Sequence, residues 1–402
     1  MAPVSLCLLL TSIQLTASTT ISNPITASCQ RLVPGIDRIA HGVDVTRLDL
    51  FSASLTQDDG FRNRVIDYFC TENKTWTSPY DNVTYHIPDQ IDRFVPLSAG
   101  IDISKSLLFR DISELQYTMS REVGFDLSLG FVSFSQSQTV KKSINILETE
   151  DKLVATNKAF VDVFGIALSP PEFLRHFSSD YLNTAVANLP NFFDNCSAST
   201  FMSFFSDYGT HYFQRGDFGG SLSSCFQIEK HLLQVLDEEG ISEQVEASFL
   251  GILKAHKAYE GNVKTVDQRF QEHSFHQENY YGGIANLLET EGYKKWWPTI
   301  GCNPWLHSGT LVPVTDLLGD GLEIKNQLLT AYPVYMLRAY IRQLIQEVQA
   351  YLANPNFAGD VKLINLQKDL KQIGEEPIPS QEKILEFAEK LKQYILDKGS
   401  RK

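Results

Sequence analysis

The sequence predicts an α+β fold, and three features predict it. Strict apolar–polar alternation runs from residue 123 to 131, where Val123, Phe125, Leu127, Leu129 and Phe131 share one face. Period two over that length marks a strand. The charge-dense segment 229–278 holds Val245, Phe249, Ile252, Leu253 and His256 at helical spacing, the pattern of an amphipathic helix. The last quarter carries an unbroken helical stripe: Leu337, Tyr340, Ile341, Leu344, Ile345, Val348, Tyr351 and Leu352.

The 402 residues are 43% hydrophobic and 21% charged, enough for a large core. A net charge of −13 makes nucleic acid a poor general partner. An apolar run from Val4 to Leu15, followed by small residues at Ala17 and Ser18, reads as a secretory signal peptide over residues 1–18. No later run reaches the ~20 apolar residues of a membrane helix. A secreted, extracellular protein is therefore expected. Three glycosylation sequons begin at Asn73, Asn82 and Asn195, two of them in one turn-rich segment. Of six cysteines, Cys7 leaves with the signal peptide. Pairing the nearest neighbours gives Cys29–Cys70 and Cys196–Cys225 and leaves Cys302 free, buried or intermolecular.

Along the chain, residues 36–51 read as turn and short strand, and 71–92 as loop. A second strand, Lys158 to Leu168, stops at Pro170-Pro171. Residues 172–207 read as helices, and a strand follows past Cys225. Tyr280 to Leu318 is strand and turn. A last helix follows Pro379, with Ser380 as its N-cap.

Catalytic patterns are missing. There is no nucleophile elbow, P-loop or paired glycine fingerprint. His273, His276 and Glu278 lack the i, i+4 spacing of a helical zinc site and read as a polar helix end. No enzyme, cofactor or metal is expected. The adhesion-type tripeptide Arg215-Gly216-Asp217 lies between Phe213 and Phe218, inside a strand rather than on a loop.

One segment is more specific. Tyr208-Gly209-Thr210-His211-Tyr212, six residues, then Gly219-Gly220 resembles the signature of the membrane attack complex/perforin (MACPF) family. Gly42-Val43-Asp44-Val45, Gly282-Gly283, Trp296-Trp297, Pro304 and Leu311-Val312-Pro313-Val314 resemble further family elements in the same order, over roughly residues 35–320. The resemblance implies a MACPF/cholesterol-dependent-cytolysin-like fold: a bent four-stranded antiparallel sheet flanked by two helical clusters, here with a helical C-terminal extension. The MACPF domain would span 19–325 and the C-terminal helical region 326–402. The strands would fall near 115–132, 153–168, 211–228 and 275–290. The helical clusters would lie between the first two strands and within 229–274.

The resemblance also implies a mechanism. Lytic relatives bind a lipid membrane, assemble into a ring-shaped homo-oligomer and unfurl both clusters into β-hairpins. Only a closed barrel satisfies its backbone in lipid. Val123, Phe125, Leu127, Leu129 and Phe131, and Val245, Ala247, Phe249 and Leu253, are the candidate inserting residues. Gly219, Gly220, Gly282 and Gly283 would be the hinges, and His211 a satisfied core histidine. The return strands fit lipid less well. Glu148, Glu150 and Asp151 crowd one, and Val263 to Glu272 places charge on both faces. A non-lytic extracellular signalling or structural factor, similar to Torso-like, is the alternative.

Overall fold

The computed structural model describes residues 29–50, 58–97, 100–124 and 133–399. A single 3-10 turn, Ile36–Ala40, leads into β1 (His41–Val43), which pairs antiparallel with β2 (Phe61–Arg64). β3 (Thr75–Thr77) and β4 (Thr84–His86) form a separate small hairpin in the segment expected to be loop. β5 (Ile91–Pro96), β6 (Asp102–Ile103) and β7 (Leu107–Phe109) follow. Helices α1 (Ile112–Glu122) and α2 (Gln138–Ile144) and a π-helical turn (Asn145–Thr149) make the first helical cluster. The long strand β8 (Lys152–Leu168) then crosses the molecule. Next come α3 (Pro171–Leu174), α4 (Asp180–Ala187), α5 (Ala198–Tyr208) and the 19-residue β9 (His211–Glu229). The second cluster is α6 (Glu238–Ala255) and α7 (Gln268–Glu272). β10 (Ser274–Tyr281), α8 (Ala285–Glu291), α9 (Tyr293–Ile300) and β11 (Trp305–Pro313) close the sheet. α10 (Glu323–Ala353), α11 (Val361–Glu375) and α12 (Gln381–Gly399) end the chain.

The strands run as four antiparallel lines. β5, β6 and β7 pair in turn with β8 and form one broken edge. β8 pairs with β9 along nearly its whole length. β11 and then β10 pair with the far side of β9. β1 joins β9 at its first residues, matching Gly42 to Tyr212.

Alternation along β8 sends successive side chains to opposite faces. Val154 packs in the core that holds Ile112, Leu115, Val140 and Ile144 of the first cluster. Its neighbours Leu153 and Ala155 pack with Ile241, Val245 and Phe270 of the second. The two clusters therefore clothe opposite faces of one sheet.

The expected strand at 115–132 is corrected. Residues 112–122 are helical because Asp111 caps them, accepting from the Glu114 amide, and Ile112, Leu115 and Met119 form a buried stripe. Val123 is the buried C-cap of α1. Phe125, Leu127, Leu129 and Phe131 lie outside the described residues. The edge line assigned there is instead made earlier, by residues 91–109. The strand expected at 275–290 stops at Tyr281, where Gly282 and Gly283 take positive φ and α8 begins. α10 contributes to two cores: Leu328, Ala331 and Met336 to the main one, Leu344 and Val348 to the one with α11 and α12.

Asp44 ties the N-terminal segment to α10. It is fully buried. Its Oδ1 accepts from the Thr46 amide at 3.0 Å and hydroxyl at 2.7 Å. Its Oδ2 accepts from Tyr335 of α10 at 2.7 Å and Arg62 at 3.3 Å. Removing one partner of a buried ionic network leaves the others desolvated and unmatched. Asp44→Ala is expected to cost about 3 kcal/mol, read as a lowered urea midpoint, with Asp44→Asn between it and wild type.

Candidate functional site

The signature segment turns the chain from α5 into β9. Gly209 ends α5 with φ 80°, and a Cβ there would lie 2.4 Å from the Val43 amide nitrogen. The Thr210 hydroxyl donates to the Val43 carbonyl at 3.2 Å and accepts from the Val45 amide at 3.1 Å. His211 is buried, its Nδ1 2.8 Å from the same hydroxyl. With the hydroxyl proton committed to Val43, Nδ1 is the protonated donor of a neutral ring. Burial holds its pKa down at about 3, so the ring carries no charge at physiological pH. It packs edge-on against Tyr332 of α10. Tyr208 donates to the Tyr181 carbonyl at 3.1 Å, and Tyr212 is fully buried. The segment joins α5, β1 and α10.

Further along β9, Gly219 and Gly220 sit where its outer partner changes. Trp305 of β11 pairs with Gly219, and Tyr281 of β10 with Ser221. On the other side β8 carries a bulge between Asp162 and Phe164. Bulges bend strands and sharpen twist. The approach is close: a Cβ on Gly219 would stand 1.9 Å from the Val161 carbonyl oxygen. One on Gly282 would stand 2.4 Å from the Gly219 carbonyl. The Trp296 indole donates to the Gly282 carbonyl at 3.1 Å, and the Gly283 amide to Asn303 at 2.8 Å. The four glycines, far apart in sequence, thus form one corner at the base of β10.

Beyond that corner lies the second cluster. Val245, Ala247, Phe249 and Leu253 are all buried on α6. Val245 packs toward Phe226 and Ile228, and Phe249 and Leu253 toward Ala159 and Leu222. Glu243, Glu246 and Lys254 point to solvent.

The first cluster is held differently. Gln116 donates to Gln343 of α10 at 2.9 Å, and Gln343 to Glu347 at 2.7 Å. Thr149 donates to the Ala350 carbonyl and Asn354 to the Glu148 carbonyl. A cleft of about 1130 Å³ reaches this seam and is lined by Glu148, Glu347 and Tyr351. Burial, with Glu148 and Asp111 nearby, pushes the Glu347 carboxyl up to about 7. Burial raises Glu148 too, although Tyr351 hydrogen-bonds it.

Cys29 and Cys70 form a disulfide with Cα atoms 5.1 Å apart. The expected Cys196–Cys225 bridge is corrected: both are free. Cys196 lies just before α5, whereas Cys225 lies 14 residues into β9, so a helix and most of a strand run between them. Cys302, expected to be left over, is disulfide-bonded. Asn73, Asn82 and Asn195 are exposed. Arg215-Gly216-Asp217 pairs with β8 on one side and β11 on the other, and Asp217 accepts from Ser308 at 2.8 Å. No described helix is long and apolar enough to cross a membrane.

This sheet, its glycine corner and the paired clusters define a protein class. The chain belongs to the membrane attack complex/perforin family: the MAC/Perforin domain model matches residues 28–350. It is 28% identical over 372 residues to the perivitellin-2 67 kDa subunit of Pomacea canaliculata, covering 92% of this chain and 63% of that one. It is 29% identical over 310 residues to the perivitellin-2 67 kDa subunit of Pomacea maculata, covering 75% and 54%. The chain thus spans little more than half the length of these curated relatives. Among solved structures, GNIP1Aa from Chromobacterium piscinae aligns with a TM-score of 0.58 at 18% identity, over 76% of this chain and 57% of that one. At that identity the likeness is one of fold.

Two predictions follow from this geometry. Gly219→Ala forces β8 from β9 and is expected to cost roughly 3 kcal/mol or more in thermal or urea unfolding. The second concerns pH. Folded Glu347 keeps its proton to about pH 7, while an unfolded carboxyl releases it near 4.5. The folded state therefore binds the extra proton between those values, and stability from this group falls as pH rises through that window. Between pH 5 and 8 the Tm is expected to drop by about 4 °C more in wild type than in Glu347→Gln, measured by calorimetry.

Proposed function

We propose that this is a secreted pore-forming-type protein. It assembles on a lipid membrane into a ring-shaped homo-oligomer and inserts β-hairpins released from its two helical clusters. One observation carries the reading: α6 is amphipathic in two ways. As a helix it buries Val245, Phe249 and Leu253 on the sheet. Extended from residue 245, Val245, Ala247, Phe249, Gly251, Leu253 and Ala255 would share one face, as a membrane strand requires. The same apolar side chains thus suit the sheet in one state and lipid in the other. β9 and β10, which flank the cluster, already pair from Ser221 to Ile228, so an unfurled hairpin would continue an existing ladder. Secretion is supported by the Cys29–Cys70 disulfide and the three exposed sequon asparagines. The relatives' name, a 67 kDa subunit, fits a chain that works within an assembly. The reading assigns no catalytic residue.

A second reading has its own support. The hydrogen-bonded seam between α10 and the first cluster, and the charged residues of 263–272, suit a non-lytic extracellular signalling or structural factor. Dye release separates the two. Purified protein is expected to empty liposomes and to form rings by electron microscopy. No release across neutral, anionic and sterol-containing vesicles between pH 5 and 8 would favour the second reading. Gly251 offers a graded probe, because a Cβ there meets nothing within 4 Å. Gly251→Ala is expected to raise stability by up to ~1 kcal/mol through helix propensity and to slow release.

A further inference from the structure

We propose that Glu229, His231 and His273 form a binding site for a divalent transition-metal ion at the neck of the second helical cluster. The three residues come from the two chain segments that enter and leave the cluster. Glu229 is the last residue of β9, His231 lies in the 3-10 turn Lys230–Gln234, and His273 directly precedes β10. Both imidazoles converge on one carboxylate oxygen. Glu229 Oε2 is 3.0 Å from His231 Nδ1 and 3.2 Å from His273 Nδ1. All three ligand atoms lie within 4.8 Å of one another. Ligands about 2.0–2.2 Å from a tetrahedral ion sit ~3.4 Å apart, so small rotamer changes suffice.

The backbone under the site is fixed. The Glu229 amide donates to the His273 carbonyl at 3.1 Å, continuing the β9–β10 ladder by one step. His231 is held by its neighbour Leu232, which is 1% exposed in the core beneath α6. The side chains are 38–48% exposed, so an ion can reach them from solvent and keep a water as fourth ligand. Two imidazoles and one carboxylate suit zinc, cobalt, nickel or copper rather than calcium or magnesium, which take oxygen. Along the sequence His273 stands beside His276 and Glu278, but strand pairing sets it opposite Glu229 at the end of β9.

An ion here cross-links the entry and exit of the cluster, so it stabilises the compact form; this does not depend on membrane insertion. The full chain, stripped with chelator, is titrated with cobalt(II) by visible absorption and with zinc(II) by calorimetry. We expect saturation at one equivalent, weaker binding as pH falls because protons compete for the imidazoles, and a higher Tm with zinc. His231→Gln and His273→Gln should each weaken zinc binding at least about tenfold. His276→Gln, which alters a nearby exposed imidazole outside the triad, should not. Circular dichroism establishes that each variant is folded, and His231→Ala and His273→Ala serve as a second pair. Unchanged affinity in folded His231 and His273 variants, equal loss in His276→Gln, or no binding by wild type would overturn the assignment.

Discussion

The molecule is organised by one close passage of backbone over backbone, that of Gly219 of β9 against the Val161 carbonyl of β8. A side chain there would sit at 1.9 Å, well inside contact distance. Much of the sheet's shape follows from it. The bulge in β8 falls beside it, and β9 exchanges β11 for β10 within two residues. Gly282 comes in over the same point and is pinned by Trp296, and its neighbour Gly283 by Asn303. Because the glycines meet without side chains, the corner is held by hydrogen bonds to their backbone, among them those from the Trp296 and Asn303 side chains.

Strand alternation then sets where the clusters lie. Leu153 and Val154 are adjacent in sequence, but each serves a different cluster. The two attachments differ in kind. The second cluster meets the sheet chiefly through Val245, Phe249, Leu253 and Phe270, so the strength of its attachment scales with buried apolar area. The first is also gripped by α10 through a chain of amide, hydroxyl and carboxyl groups. Those groups are mostly desolvated, and each partner left behind would carry the cost of an unmatched buried polar group.

Legibility in the sequence followed how local the signal was. β8 and β9 stand out because each is a long, continuous strand bounded by proline or glycine. The signature segment around His211 was visible because its glycines and aromatic residues are close together in the chain. The broken edge at 91–109 was not, since three short strands separated by turns carry no sustained period. Alternation from Val123 onward suggested a strand there, but capping by Asp111 and the stripe Ile112, Leu115, Met119 had already committed the preceding residues to helix. Asp44 shows a second limit. Its partners Arg62 and Tyr335 lie 18 and 291 residues away, and no local pattern links them. The cysteine pairing failed for the same reason: Cys196 and Cys225 are near in sequence, but a whole helix and most of a strand run between them.

The seam along α10 also bears on how the two clusters relate. Glu347 and Glu148 face each other from α10 and the first cluster, with Asp111 at the N-terminus of α1 and Tyr340 and Tyr351 on α10 around them. A carboxyl that keeps its proton can donate a hydrogen bond and sit beside another acid without repulsion. Once ionised, it repels Glu148 and Asp111 and seeks water, which the adjoining cleft supplies. Burial beside Glu148 and Asp111 thus favours the protonated form of Glu347 in this seam. The second cluster carries its titratable contacts outside its apolar attachment: His256, at the end of α6, lies 3.1 Å from Glu278 of β10, apart from Val245, Phe249, Leu253 and Phe270.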